Sequence, residues 1–200
     1  MKKVLLILLC LPLIGFGQER ISESELTFAN YRMYYKGELF SGITFVKYSN
    51  GELKSEGTVK NGKLNGLIRE WYENGQLSFN GYYKENKEDG LWENYYENGK
   101  LKTVTTRKDG VVQGLMTTYF ESGELQMLSH FKDGILEGIA KGYYKNGQIK
   151  MDGQFKNGKP DGLGKFYYKN GKIKNEEHFV NGISKSKKCW DEEGNRIKCK

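Results

Sequence analysis

The residues of this chain able to do acid–base, metal or redox chemistry are few: His130, His178, Cys10, Cys189 and Cys199. A zinc ion takes about four cysteine, histidine or carboxylate ligands at short spacings. The late pair Cys189 and Cys199 has no histidine close to it, so it makes a poor metal site and a better disulfide, set either side of the turn-like Glu193-Gly194-Asn195. Nucleotide-loop, nucleophile-elbow and zinc signatures are missing from the sequence. Glu73, Glu97 and Glu121 recur beside turns and read as a solvated rim rather than as acid/base pairs. Two other recurrences could bind something. Lys60, Lys84, Lys108, Lys132 and Lys156 occupy one column, with Lys63, Lys87 and Lys159 beside it, which suits an anionic lipid headgroup or another polyanion. Trp71, Tyr95, Tyr119, Tyr143 and Tyr167 occupy another, which suits a protein partner or a glycan.

These columns exist because the sequence repeats. Glycine recurs every 24 residues at Gly42, Gly66, Gly90, Gly114, Gly138 and Gly162. A second register holds Asn50-Gly51, Asn74-Gly75, Asn98-Gly99, Ser122-Gly123, Asn146-Gly147 and Asn170-Gly171. A third holds Asn61-Gly62, Asp109-Gly110, Asp133-Gly134, Asn157-Gly158 and Asn181-Gly182, with Glu85-Asn86 as the variant. Asn-Gly supplies the positive-φ pair of a type I′ turn, so the second register predicts tight two-residue hairpins and the third a slightly longer connection. The expected fold is all-β: a single-layer twisted antiparallel meander of tandem 24-residue β-hairpin repeats. About thirteen strands at about 4.8 Å spacing give a ribbon about 60 Å long.

A two-residue turn at Asn50-Gly51 predicts that residue 48 pairs with 53, 46 with 55 and 42 with 59, all on one face. That face then carries the column of Tyr48, Tyr72, Tyr96, Phe120, Tyr144 and Tyr168. Opposite it run Leu53, Leu77, Leu101, Leu125, Ile149 and Ile173. A third column holds Val59, Tyr83, Phe131, Phe155 and Phe179, with Arg107 as the exception. The other face carries an aliphatic column (Ile43, Leu67, Leu91, Leu115, Ile139, Leu163) and the aromatic stripe, with Trp92 opposite the stripe by parity. His130 and His178 share a column two repeats apart, which separates them by about 20 Å and excludes a shared metal ion.

Aromatic-x-Asn-Gly-x-Leu, then aromatic-Lys-Asn/Asp-Gly and a later glycine, as in Tyr144 to Ile149, Phe155 to Gly158 and Gly162, resembles the MORN-variant repeat. The resemblance spans nearly all of the chain after its first residues. It implies hairpin arrays used for protein scaffolding and for contact with membrane phospholipid. Exported bacterial versions resemble the YwqK-type antitoxins of toxin–antitoxin systems. An exported protein of that kind would act as a periplasmic immunity protein, because a cytoplasmic toxin is out of its reach.

Lys2 and Lys3, the apolar run Val4 to Ile14 and the small residues Gly15 and Gly17 read as a signal peptide over residues 1–17. The run is too short to span a bilayer, which takes about 20 residues, and the later sequence predicts no transmembrane segment. Leu9, where a small residue is wanted, argues against Cys10 as a lipid acceptor. Removing the two lysines lowers the formal charge from +7 to +5. Residues 18–41 read as a degenerate N-terminal cap, 42–185 as six repeats and 186–200 as a C-terminal cap hairpin. The expected function is that of a non-enzymatic scaffold needing no cofactor or metal, periplasmic, on the outer surface or secreted, with a protein as partner and anionic lipid or glycan as the other candidates. Nucleic acid is a poor partner for an exported chain.

Overall fold

The computed structural model describes residues 19–199, so the signal peptide read over residues 1–17 lies outside the described residues. Six hairpins follow one another: Gly42–Lys47 with Leu53–Lys60, Lys63–Trp71 with Leu77–Lys84, Lys87–Tyr95 with Leu101–Lys108, Val111–Tyr119 with Leu125–Lys132, Ile135–Tyr143 with Ile149–Lys156, and Gly162–Tyr167 with Ile173–Val180. Ile183–Trp190 and Arg196–Ile197 extend the meander. The sheet has 16 strands, more than the pattern predicts. The additions include Arg20–Ser22, which pairs parallel to the first repeat strand, and Lys159–Pro160, cut off where Pro160 cannot donate to the ladder.

The two kinds of turn are the reverse of the sequence expectation. At the third register both central residues have positive φ, as at Asn61 (50°) and Gly62 (75°) and even at Glu85 (52°) and Asn86 (67°), so these are the tight type I′ turns. At the second register only the glycine is left-handed (Gly51, 89°). Gly51 N–H donates to Tyr48 O and Tyr48 N–H to Glu52 O, which makes a three-residue loop with a bulge. A right-handed asparagine puts its side chain to use: Asn98 Oδ1 accepts from Lys100 N–H, and its Nδ2 donates to Glu121 O in the next repeat. The bulge also shifts the register by one. Lys47, not Tyr48, pairs with Leu53, and likewise Trp71 with Leu77, so strict alternation fails at the wide-turn end.

Away from the bulges the faces are distinct. On one, consecutive partners along the midline include Gly57, Ile68, Gly81, Trp92 and Thr105, then Met116, Ser129, Ala140 and Gly153. Small residues form a trough into which rings fold. A β-carbon on Gly81 would come within 2.5 Å of Phe79 Cζ and 3.1 Å of Trp92 Cε2, which is why glycine stands there. Phe79 and Tyr83 lie against Trp92 at 4.8 and 5.5 Å between centroids, and Arg107 stacks on it at 4.9 Å. Arg107 stands in an aromatic column where Trp92, the aromatic residue of the midline, offers its ring face to the guanidinium and Glu88 pairs with it. We call this the closed face.

Successive repeats are stitched at both edges. At the tight turns Gly62 N–H donates to Phe40 O, Asn86 N–H to Leu64 O and Gly110 N–H to Glu88 O, and the pattern continues to Gly182 and Pro160 O. At the wide turns the tyrosine hydroxyls of Tyr48, Tyr72, Tyr96, Tyr144 and Tyr168 donate to a carbonyl of the next repeat or of the final strand pair. Before the first repeat, Thr27–Ala29, Arg32–Tyr35 and Glu38–Leu39 form a small separate sheet. Ile21, Leu26 and Phe40 pack there with Val59 into the buried cluster at that end of the ribbon.

Candidate interaction surface

The opposite face is covered by no other element among the described residues. We call it the open face. Its midline begins as a ladder of charged and amide groups: Arg20 and Arg69 flank Glu56 at 3.0 and 3.6 Å, and Asn80 Nδ2 donates to Glu93 Oε2. It ends as another, with Lys141 on Asp152 at 3.1 Å and Lys165 on Glu176 at 3.5 Å. Between the two ladders the partners are Val104, Thr117 and Leu128. The hydrogen bond to Asp152 holds the Lys141 amine above the usual lysine range. Tyr95, which donates to Glu93, is pushed up by burial and then by that carboxylate.

Along this uncharged centre, and on past it, runs the aliphatic column, whose later members are exposed: Leu91 is 50% exposed, Leu115 48%, Ile139 47% and Leu163 47%. The stripe Trp71, Tyr95, Tyr119, Tyr143 and Tyr167 runs beside it, half-buried in every case. From Leu91 onward the aliphatic column is therefore fractionally more exposed than the aromatic one on which the sequence put weight. The backbone carbonyls of Trp71, Tyr95, Tyr119 and Tyr167 also accept the tyrosine clamps, so the stripe takes part in holding the ribbon together.

Lys60, Lys84, Lys108, Lys132 and Lys156 are all exposed along the tight-turn edge. The same edge carries acids from the following turns: Lys63 meets Glu85 at 2.8 Å and Lys87 meets Asp109 at 3.6 Å. It is thus a row of mixed sign rather than a uniform cationic ribbon. His130 Nδ1 lies 3.0 Å from Glu137 O, and His178 sits between Leu163 and Ser186. The sulfurs of Cys189 and Cys199 lie at disulfide distance, 2.08 Å, and tie Ile183–Trp190 to the chain end. Among the described residues no three His, Cys, Asp or Glu side chains gather to hold a metal.

Sequence reasoning missed the ladder and its interruption. Their signal was available: the midline residues recur with the repeat period, charged or amide at both ends and uncharged in the middle. It also missed a break at the fourth wide turn, where Phe120 and Ser122 depart together from the Tyr and Asn of the other repeats, and Gln126 stands in a column that is lysine in all of them but the second, which has Ser78. There the hydroxyl and amide clamps are both lost, and a cleft opens between Phe120, Met127, Tyr143 and Met151 beside Lys150.

An uninterrupted hairpin ladder that buries one face on itself and leaves the other open defines a tandem β-repeat protein, a class that presents surfaces rather than enclosing a site. The MORN repeat variant matches residues 41–61, 64–85, 88–109, 112–133 and 136–157, and the MORN repeat matches residues 152–173. With more than half of its length so matched, the chain belongs to the MORN repeat family. No curated protein matches the chain. MORN repeats are commonly modules for protein or membrane contact and typically non-enzymatic.

Proposed function

We propose that this protein is an exported, non-enzymatic scaffold that docks protein along the open face. The observation that carries the reading is the interruption of the charge ladder. At both ends the sheet shields itself with charged and amide groups, whereas at Val104, Thr117 and Leu128 the shield gives way to uncharged side chains, two of them aliphatic, flanked by the exposed Leu91, Leu115 and Ile139. Contiguous exposed apolar surface of this kind marks interaction sites. A membrane surface is the weaker reading, since the lysines of the tight-turn edge have acids interleaved with them. Export rests on the N-terminal Lys-Lys and apolar run.

The test is chemical cross-linking in the envelope of the exporting cell, with the parent chain compared with Tyr95→Ala/Tyr119→Ala/Tyr143→Ala and with Leu91→Ser/Leu115→Ser/Ile139→Ser. The expected result is protein adducts for the parent that the aliphatic triple variant loses and the aromatic one reduces. Adducts unchanged in both variants would remove the open face from the account.

A further inference from the structure

We propose that the centre of the open face is the interface of a two-fold dimer, its occupant a second copy of this chain. The proposal rests on reading the open face as the docking surface and names the partner. A two-fold axis through Thr117, parallel to the strands, lays one ribbon on the other with the strand order reversed and the wide-turn edges together. Val104 then faces the partner's Leu128, Leu91 the partner's Ile139, and Leu115 its own copy. At the margins Glu93 faces the partner's Lys141, twice by symmetry, and Asn80 faces the partner's Asp152. Interfaces of this kind require a self-complementary patch, and this one has it in both polarity and sign.

Glu93 supports the assignment independently. The other midline acids Glu56, Asp152 and Glu176 each have a cation within 4 Å in their own chain. Glu93 has none among the described residues. Its partners are the Asn80 amide at 2.9 Å and the Tyr95 hydroxyl at 3.1 Å, both neutral. The two-fold supplies the missing cation from Lys141. One step further out Arg69 would meet the partner's Lys165, and sheet twist carries the ribbons apart, so the contact ends there. Five strands at about 4.8 Å and about 25 Å of strand length cover about 600 Å² per copy, which is at the lower limit for a specific interface and predicts a weak, concentration-dependent dimer.

The test is sedimentation equilibrium of the mature chain from about 1 µM to about 1 mM, a span chosen for an interface of this size. The parent is expected to shift from monomer to dimer mass within it. Glu93→Lys alone and Lys141→Glu alone each place like charges at both margins and are expected to weaken the dimer about tenfold or more. An equimolar mixture of the two variants restores opposite charges at both margins and is expected to dimerise as the parent does, as is the double variant. That rescue also shows that the single variants are folded. A parent that stays monomeric, single variants that dimerise like the parent, or a mixture no better than its components would each overturn the proposal. If the parent is monomeric while open-face substitutions still abolish envelope cross-links, the dimer fails and the docking reading stands; if the cross-links are also unaffected, both fail.

Discussion

Phe120 provides a gain-of-stability test of how the repeats are joined. Five other positions in its column carry tyrosine, and each hydroxyl donates to a carbonyl 22 or 23 residues further on at 2.6 to 2.8 Å. The turn at Phe120 has the same backbone geometry, with Gly123 N–H on Phe120 O and Phe120 N–H on Glu124 O, but no hydroxyl reaches Tyr143 O. Phe120→Tyr should therefore add one inter-repeat hydrogen bond. The net value of such a bond is about 0.5–1.5 kcal/mol, and in a linear array an interface contribution adds directly to the whole. Tyr96→Phe should cost about the same amount by removing the bond to Tyr119 O. Adding Ser122→Asn to Phe120→Tyr should raise stability further, because the amide can reach the following turn as Asn98 reaches Glu121 O. Equilibrium urea unfolding of the three variants against the parent measures this. Opposite signs for Phe120→Tyr and Tyr96→Phe are the expected result. A neutral or destabilising Phe120→Tyr would refute the clamp as a stabilising contact.

Three further outcomes follow from particular contacts. Gly81→Ala drives a methyl group against Phe79 Cζ at 2.5 Å and the Trp92 ring at 3.1 Å, and thermal unfolding should show a loss of about 1–3 kcal/mol, whereas Gly153→Ala, whose nearest neighbour is 3.7 Å away, should cost less. Reducing the Cys189–Cys199 bond, which spans 10 residues, should lower stability by about 3 kcal/mol on chain-entropy grounds, with the loss of amide protection confined to the last strands by hydrogen exchange. The Lys63 hydrogen bond to Glu85, and then the charge of Lys63, hold the Glu85 carboxyl below its usual range. A depressed folded-state pKa contributes stability above the unfolded value and loses it as pH falls through the folded one. The stability difference between the parent and Glu85→Gln should therefore be present at neutral pH and vanish on acidification, as acid titration of unfolding would show.

The repeat, the strand order and the register of most of the ladder were legible because period-2 alternation and glycine spacing are local properties of the chain. The assignment of turn types was not. Asn-Gly suits both a type I′ turn and a right-handed asparagine followed by a left-handed glycine, and the wide geometry recurs even at Ser122-Gly123, where no amide is available, so the dipeptide alone does not distinguish the two registers and the asparagine clamp accompanies the wide turn rather than selecting it. The resulting bulge moved Trp71 opposite Leu77 and so misled the parity argument at one edge. The candidate surface was half legible. The stripe and the aliphatic column were both visible, but their relative exposure depends on how the rings fold back on the sheet. The interrupted ladder at Val104, Thr117 and Leu128 required reading across strands rather than along them.

The central claim is that the open face, and not the closed one, is where this protein meets its partner. A photo-cross-linking residue placed in turn at Leu115 on the open face and at Met127 on the closed face, both exposed, tests it in the producing cell. The account predicts adducts, to a second copy or to another protein, from position 115 and none from position 127. Equal yields at the two positions, or adducts from position 127 alone, would contradict it.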